Sequence, residues 1–374
     1  MSEVGVTALP HPRSEFDSPL SVGVEEEFLL VDAVTGELMP VAPTVLDGDA
    51  GTLNLQPEMT RYQVESATAV CRSMAEVRTE LLLSRKELSE RARATGARIV
   101  ATGTPVRGGT RPPPLTDTPR YRRIAQDFGS LVDGLTICGC HVHIGIPDDE
   151  AGVVISNHLR QWLPILLALS SNSPFSEGRD TGYASWRYLS WSPWPSAGAP
   201  PWFESAEQYH LDSTHLRETG AALDQGMVYW DVRLSAQHPT VELRVCDVAA
   251  TVDEAVLLAA LVRAIAAMAL HDPSAAFRVP DLTLRTALWR AARDGVEGAT
   301  VDPHTGHLIP ATTQLHTLLN WTRPALHAFG DEALVTEGIA RLLKDGSGAT
   351  RQRQAFARRG NLTDVVTLLV AQTE

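Results

Sequence analysis

Charged side chains recur at every second position in four apolar stretches of this sequence. Glu25 and Glu27 lie in SVGVEEEFLLV (residues 21–31), His141 and His143 in TICGCHVHIGI (136–146), Glu242 and Arg244 in TVELRV (240–245), and Arg61, Gln63 and Glu65 in EMTRYQVESA (58–67). Side chains two apart on an extended strand share a face. Glu25 and Glu27 therefore point one way and Glu26 the other, while His141 and His143 oppose Cys138, Cys140 and Val142. A charged pair on a strand is ordinarily a solvated face. Here Val22, Val24, Phe28, Leu29 and Leu30 bracket the acids, and Val241, Leu243 and Val245 bracket Glu242 and Arg244. Charges amid such flanks need partners. Four strands of this kind imply one charged cleft on a sheet.

The chemistry open to such a cleft depends on its ligand set. CGCHVH resembles a zinc cluster, but alternation separates its cysteines from its histidines, so one ion cannot easily take both sets. The cysteines read as core residues. His141 and His143 with a third ligand would suit zinc and a zinc-dependent amidohydrolase. The many carboxylates favour Mg²⁺ or Mn²⁺ instead. Several acids with at least one Arg fit phosphoryl transfer, in which metal ions bridge phosphate oxygens and Arg neutralises developing charge.

The elements that must position these residues follow from pattern. Residues 21–31, 58–67, 99–103, 136–146, 227–234 and 240–245 read as strands, the last two joined by a turn at 236–239. Helices are predicted over 73–96, with Gly96 suited to its C-terminus, and over 119–132, 152–169 and 252–270. The helix at 152–169 contains Pro164, where a kink is expected, and that at 252–270 reads as amphipathic. From Leu282 onward only helices and loops are expected. Residues 172–203 carry Trp186, Trp191, Trp194 and Trp202 with five prolines. Such a segment either packs on itself or covers a substrate. Strands arrive as hairpin-like units rather than regular βαβ repeats. The expected class is α+β, a mostly antiparallel sheet with flanking helices. Residues 1–19 read as a flexible tail and 20–374 as a single domain, helical from about 280.

Composition removes other classes. The chain has 374 residues, with 32 Lys+Arg against 45 Asp+Glu, a formal net charge of −13. That disfavours nucleic acid and acidic membrane surfaces as partners. Lys86 and Lys344 are the only lysines and neither sits in a Walker A loop; GxGxxG, HExxH and GxSxG are absent as well. Four cysteines are too few and too uneven for a disulfide scaffold. The most apolar stretch, residues 255–270, contains Arg263 and is shorter than the ~20 residues that span a bilayer. No basic-then-apolar signal pattern opens the chain. A cytoplasmic protein is expected.

GVEEEF (23–28), GCHVHIG (139–145), YASWR (183–187), WPSAGAPP (194–201), WDVR (230–233) and TVELRVCD (240–247) occur in this order. As a set they resemble the glutamate–cysteine ligase type 2 family, also called carboxylate-amine ligases. The resemblance runs from about Ser21 to the C-terminus, where RQRQAFARRGNLTDVVTLLV is also familial. It implies a catalytic fold similar to glutamine synthetase, with a curved antiparallel sheet whose concave face carries the acids. It implies a ligase that joins a glutamate-like carboxylate to a small amine through an acyl phosphate, using ATP and Mg²⁺ or Mn²⁺. By motif, Glu25, Glu27, Glu58, Glu65, His141 and Glu242 look like the metal shell, Glu58 and Glu65 from a less distinctive motif. Arg244 looks like a phosphate contact, Arg187 and Arg233 like carboxylate or phosphate anchors, and His143 like a nucleotide or metal ligand. A homodimer is expected by analogy. ATP-dependent amide-bond formation is the broad expectation and literal glutamate–cysteine ligation the narrow one. The alternatives are the zinc amidohydrolase and a silent relative that binds ATP or amino acids without turnover.

Overall fold

The structure is a computed structural model and describes residues 19–374. The expected tail therefore lies outside the described residues, Pro19 excepted. Seven strands form the main sheet: β1 (Val22–Asp32), β2 (Asn54–Pro57), β3 (Gln63–Ala67), β4 (Ala97–Val100), β5 (Cys140–Gly145), β6 (Val232–Leu234) and β7 (Thr240–Leu243). Their order is β2-β3-β1-β5-β7-β6, with β4 beside the second half of β1. All the pairings are antiparallel. Around the sheet lie α1 (Met74–Ala94), α2 (Pro119–Phe128), α3 (Asp149–Ser170), α4 (Trp186–Trp191), α5 (Ala206–Glu218), α6 (Val252–His271), α7 (Asp281–Asp294), α8 (Ala311–Phe329), α9 (Glu332–Asp345), α10 (Gly348–Arg359) and α11 (Leu362–Thr373). This is the expected α+β architecture.

The register decides which side chains meet. Glu27 is opposite Glu65 across β1 and β3, and Glu25 is opposite His141 across β1 and β5. A further row runs His143, Glu242, Arg233 across β5, β7 and β6. The other face carries Val22, Val24, Cys140, Val142, Ile144, Val241 and Leu243, packed on α3 and α6. The FLLV run of β1 is buried on both sides, against α1 through Leu88 and Ala92 and against α11 through Val365, Val366 and Leu369. A strand covered on both faces reads as a continuous apolar run rather than an alternation.

Several expectations are corrected. Residues 58–67 are not one strand: β3 begins at Gln63, and Arg61 lies in the preceding turn, exposed. Cys138 precedes β5 rather than lying on it, although it is buried as expected. Residues 227–231 are not strand, and only Val232–Leu234 pairs. The helix at 119–132 divides, because Gly129 at φ 55° ends α2 and a 3₁₀ turn follows. α6 is buried nearly all round, as befits a helix enclosed by α1, α3 and α8. Its Arg263 is neutralised by Asp331. A hairpin of Ala299–Val301 with Leu308–Pro310 interrupts the C-terminal helices. Strands of three residues are too short to leave a period in the sequence. No helix among the described residues is long and apolar enough to cross a membrane.

Glu26, alone of the three consecutive acids, faces the helical layer. It is fully buried, and Arg85 of α1 grips it through Nε (2.9 Å) and Nη2 (2.5 Å). Arg85 also donates to the carbonyl of Ala249 (2.9 Å), ahead of α6. The pair ties β1, α1 and the 249–250 turn together. Removing one member of a buried pair strands the other charge and costs about 3–5 kcal/mol. Glu26→Gln is expected to lower unfolding stability by that order, read from the urea midpoint, and Glu26→Leu/Arg85→Leu to recover part of it. A Glu26→Gln protein as stable as the wild type would remove the pair from this role.

Candidate active site

All ten candidate residues line one cleft of about 980 Å³: Glu25, Glu27, Glu58, Glu65, His141, His143, Arg187, Arg233, Glu242 and Arg244. The odd-numbered face of β1, β3 and β5 supplies its floor, since the even-numbered face is committed to α3 and α6. The acids form two groups. Glu27, Glu58 and Glu65 bring carboxylate oxygens within 4.8 Å of one another, and Glu25, His143 and Glu242 bring ligand atoms equally close. Glu58 arrives from the loop after β2, not from a strand, and its carboxylate accepts from the Met59 amide (2.7 Å). Gln63 shares the Glu65 face, as alternation requires, and donates to the Ile137 carbonyl (2.7 Å). His141 is outside both groups, although Glu25 lies between it (3.1 Å) and His143 (3.3 Å).

Burial and crowding set the charges. Burial, with Glu58 beside it, pushes Glu27 up to about 8, against the opposing pull of Arg187 and its Gly139 amide hydrogen bond. Burial and the neighbouring Glu58, Glu25 and Glu27 hold Glu65 well above the usual carboxylate range. Glu25 goes the other way: burial opposes its charge, but His141 and His143 overcome it and hold the carboxyl far below. Glu242 is likewise held well below, burial being outweighed by Arg244 and Arg233. Burial and then Arg244 lower His141 to about 4, so it is neutral near pH 7. Its Nδ1 lies 3.1 Å from Glu25, an acceptor only, which places the proton there and the lone pair on Nε2. That Nε2 is buried with no hydrogen-bond partner, whereas Nε2 of His143 lies 3.3 Å from Glu25.

The arginines differ in how they are held. Arg233 gives Nε (2.8 Å) and Nη2 (3.3 Å) to Glu242 and Nη1 to the carbonyls of Gly226 (2.7 Å) and Val228 (2.9 Å). Arg244 donates to Glu242 from the other side, and its Nε is buried and unpartnered. Arg187 reaches only the carbonyls of Arg244 (3.3 Å) and Val245 (3.4 Å). Its guanidinium lies against Gly139, where an added Cβ would collide with it.

The cleft also contains residues the sequence did not single out. Arg120 at the start of α2 pairs with Asp224 (2.7 Å), and Tyr121 and Tyr229 join the wall with Trp191. None sits on a strand, so period-2 spacing had no purchase on them. The Trp-rich segment packs partly on itself, Trp191 lying 5.8 Å from Trp194, and partly on Tyr229 and Phe128, while lending Arg187 and Trp191 to the cleft.

The sequence profile of glutamate–cysteine ligase family 2 (GCS2) matches residues 21–368. The chain belongs to that family. As a member it is a carbon–nitrogen ligase. It is 46% identical over 356 residues to "Putative glutamate--cysteine ligase 2-1" of Saccharopolyspora erythraea, covering 95% of each chain. The Rhodococcus jostii protein of the same name is 44% identical, with 96% of this chain and 98% of that one covered. The fold is shared with the glutamate–cysteine ligase of Francisella tularensis solved in complex with AMP. That match has TM-score 0.70 and 12% identity, over 95% of this chain and 88% of that one. It is shared too with the bifunctional glutathione synthetase of Pasteurella multocida, at TM-score 0.69 and 15% identity, over 95% of this chain and 52% of the longer one.

The ligase's donor set suits hard divalent cations. Carboxylates predominate, two are crowded enough to retain protons, and Nε2 of His141 is buried without a partner. Such an ion must displace those protons. The sign for the metal-free protein follows. Glu27 and Glu65 lie above their ordinary 4.5 and Asp231, raised by burial, is at about 7 against 3.8. The folded state therefore binds extra protons, and stability falls as pH rises through these values. His141, lowered from 6.5, acts oppositely but only below about pH 6.5. From about pH 6.5 to 8.5 the chelator-treated ligase should lose thermal stability. Mg²⁺ should raise Tm more at the upper end, and calorimetry in two buffers of different ionisation enthalpy should register proton release on binding. A Tm independent of pH, with no protons released, would contradict this charge assignment.

Proposed function

We propose that this ligase couples ATP cleavage to amide-bond formation between a glutamate-like carboxylate and a small amine, through an acyl phosphate, with Mg²⁺ or Mn²⁺ bound. One observation carries the reading: two acid clusters and four arginines meet in a single cleft. The AMP in the Francisella structure and the names of the relatives support the nucleotide and the glutamate-like donor.

In this reading Glu25, Glu27, Glu58, Glu65, His141 and Glu242 hold the ions, and His143 contacts nucleotide or metal. The bound ions would supply positive charge to phosphate oxygens and screen the acids from two anionic substrates. A donor carboxylate oxygen attacks the γ-phosphorus, the bond to the bridging oxygen breaks, and ADP leaves. The amine nitrogen then attacks the acyl carbon, the carbon–oxygen bond to phosphate breaks, and the nitrogen sheds a proton to water. Arg244, which lines the cleft and whose Nε has no partner, contacts phosphate. Arg187 steadies an anionic group. Arg233 has all three nitrogens engaged, so its part is to orient Glu242 rather than to grip substrate. Trp191, Tyr121 and Tyr229 wall the cleft and keep water from the acyl phosphate.

The test is phosphate release from ATP and Mg²⁺ across a matrix of amino acid donors and amine acceptors. Release that requires one donor and one acceptor together is expected. ATP bound with no release in any combination would favour the silent relative. Glu27→Gln and Glu242→Gln should each lower kcat by roughly a hundredfold or more while the fold persists. Arg244→Lys loses the planar fork and should lower kcat/KM by about tenfold with little change in Tm. An unchanged rate would make Arg244 a structural partner of Glu242.

A further inference from the structure

Asp247 closes the TVELRVCD motif, is fully buried and does not line the cleft. Three donors converge on its carboxylate: the Asn172 amide (2.8 Å), Ser173 Oγ (2.7 Å) and Ser185 Oγ (2.8 Å). Both serines pass the connection on to α4. Ser173 Oγ accepts from the Arg187 amide (3.1 Å), and Ser185 Oγ caps α4 by accepting from the Tyr188 amide (3.3 Å). Asn172 is fixed in turn by Gln352 of α10 (2.8 Å) and by the carbonyls of Ala101 and Val248.

The need for such an anchor lies in α4 itself. Six residues cannot sustain a helix unaided. Arg187 projects from its first turn and makes no ion pair among the described residues, so its guanidinium goes where the backbone sends it. We propose that Asp247 is a positioning residue that sets Arg187 in the cleft, acting through Ser173 and Ser185 on the backbone of α4. The catalytic consequence rests on the reading of Arg187 as an anion anchor, whereas the positioning itself does not.

Two measurements separate these levels. Hydrogen–deuterium exchange of Ser173→Ala and Asp247→Asn is expected to speed about fivefold or more in residues 185–191 and to change less than about twofold in α6. Unchanged exchange in α4, or acceleration spread evenly over both, overturns the proposal, and Ser173→Ala decides it if Asp247→Asn fails to fold. Kinetics then tests the consequence. Ser173→Ala should lower kcat about fivefold in the wild type but less than about twofold in an Arg187→Gln background. Equal losses in both backgrounds overturn the link to Arg187. A wild-type protein without ligase turnover refutes the functional reading alone, because the exchange arm still decides the positioning.

Discussion

Three consecutive carboxylates on a buried central strand must each be neutralised differently, and much of the molecule is arranged around that requirement. Alternation sends Glu25 and Glu27 into the cleft and Glu26 into the helical layer. Glu26 meets a full Arg85 ion pair. Glu25 is ionised against two histidines. Among the described residues Glu27 has the Gly139 amide (2.6 Å) and the guanidinium groups of Arg187 and Arg244 at a distance, too little to offset its burial beside Glu58. The gradient from satisfied to unsatisfied charge marks where the strand stops being structural and starts being chemical. Perturbed carboxyls gather at working sites for this reason.

Gly139 shows how closely the pieces depend on one another. Its amide holds Glu27, its missing side chain leaves room for Arg187, and its carbonyl accepts from the Glu27 amide (3.2 Å). One residue without a Cβ thus lets an acid of β1 and a cation of α4 approach the same point. Asp247, four residues past the end of β7, fixes the other end of that arrangement.

The strand-borne half of the cleft was legible in the sequence because period-2 spacing is a strong local signal. Glu25, Glu27, His141, His143, Glu242 and Arg244 share a face by arithmetic alone. The register that pairs Glu27 with Glu65 and His143 with Glu242 follows from which strands are neighbours, and that is a tertiary fact. Arg61 failed because a turn, not a strand, precedes Gln63. Glu58 came only through the family motif, since a loop residue has no period. Arg120, Asp224 and Tyr229 left no trace, because their approach to the cleft is made by chain that is neither strand nor long helix. The amphipathic reading of α6 failed for a related reason: a helix covered nearly all round shows no stripe, and its buried Arg263 is cancelled by a residue 68 positions away.

Four arginines line the cleft, and their tethers divide them by task. Arg233 and Arg244 converge on Glu242, and Arg120 is paired with Asp224. Arg187 alone among them has no ion-pair contact within the described residues, only two long bonds to carbonyls. Arg233, with every nitrogen engaged, must give up a partner to take another anion, and the exchange returns little, whereas Arg244 keeps its Nε without a partner. A guanidinium held by carbonyls alone keeps most of its field for an incoming anion. The sheet therefore carries charges that are fixed and mutually compensated, and α4 carries one that is not. For such a charge to discriminate between a ground state and a transition state it must already stand in place, since reorganising it during reaction would spend the advantage. A buried carboxylate that touches no ligand yet holds the backbone beneath that arginine is the economical way to meet this condition.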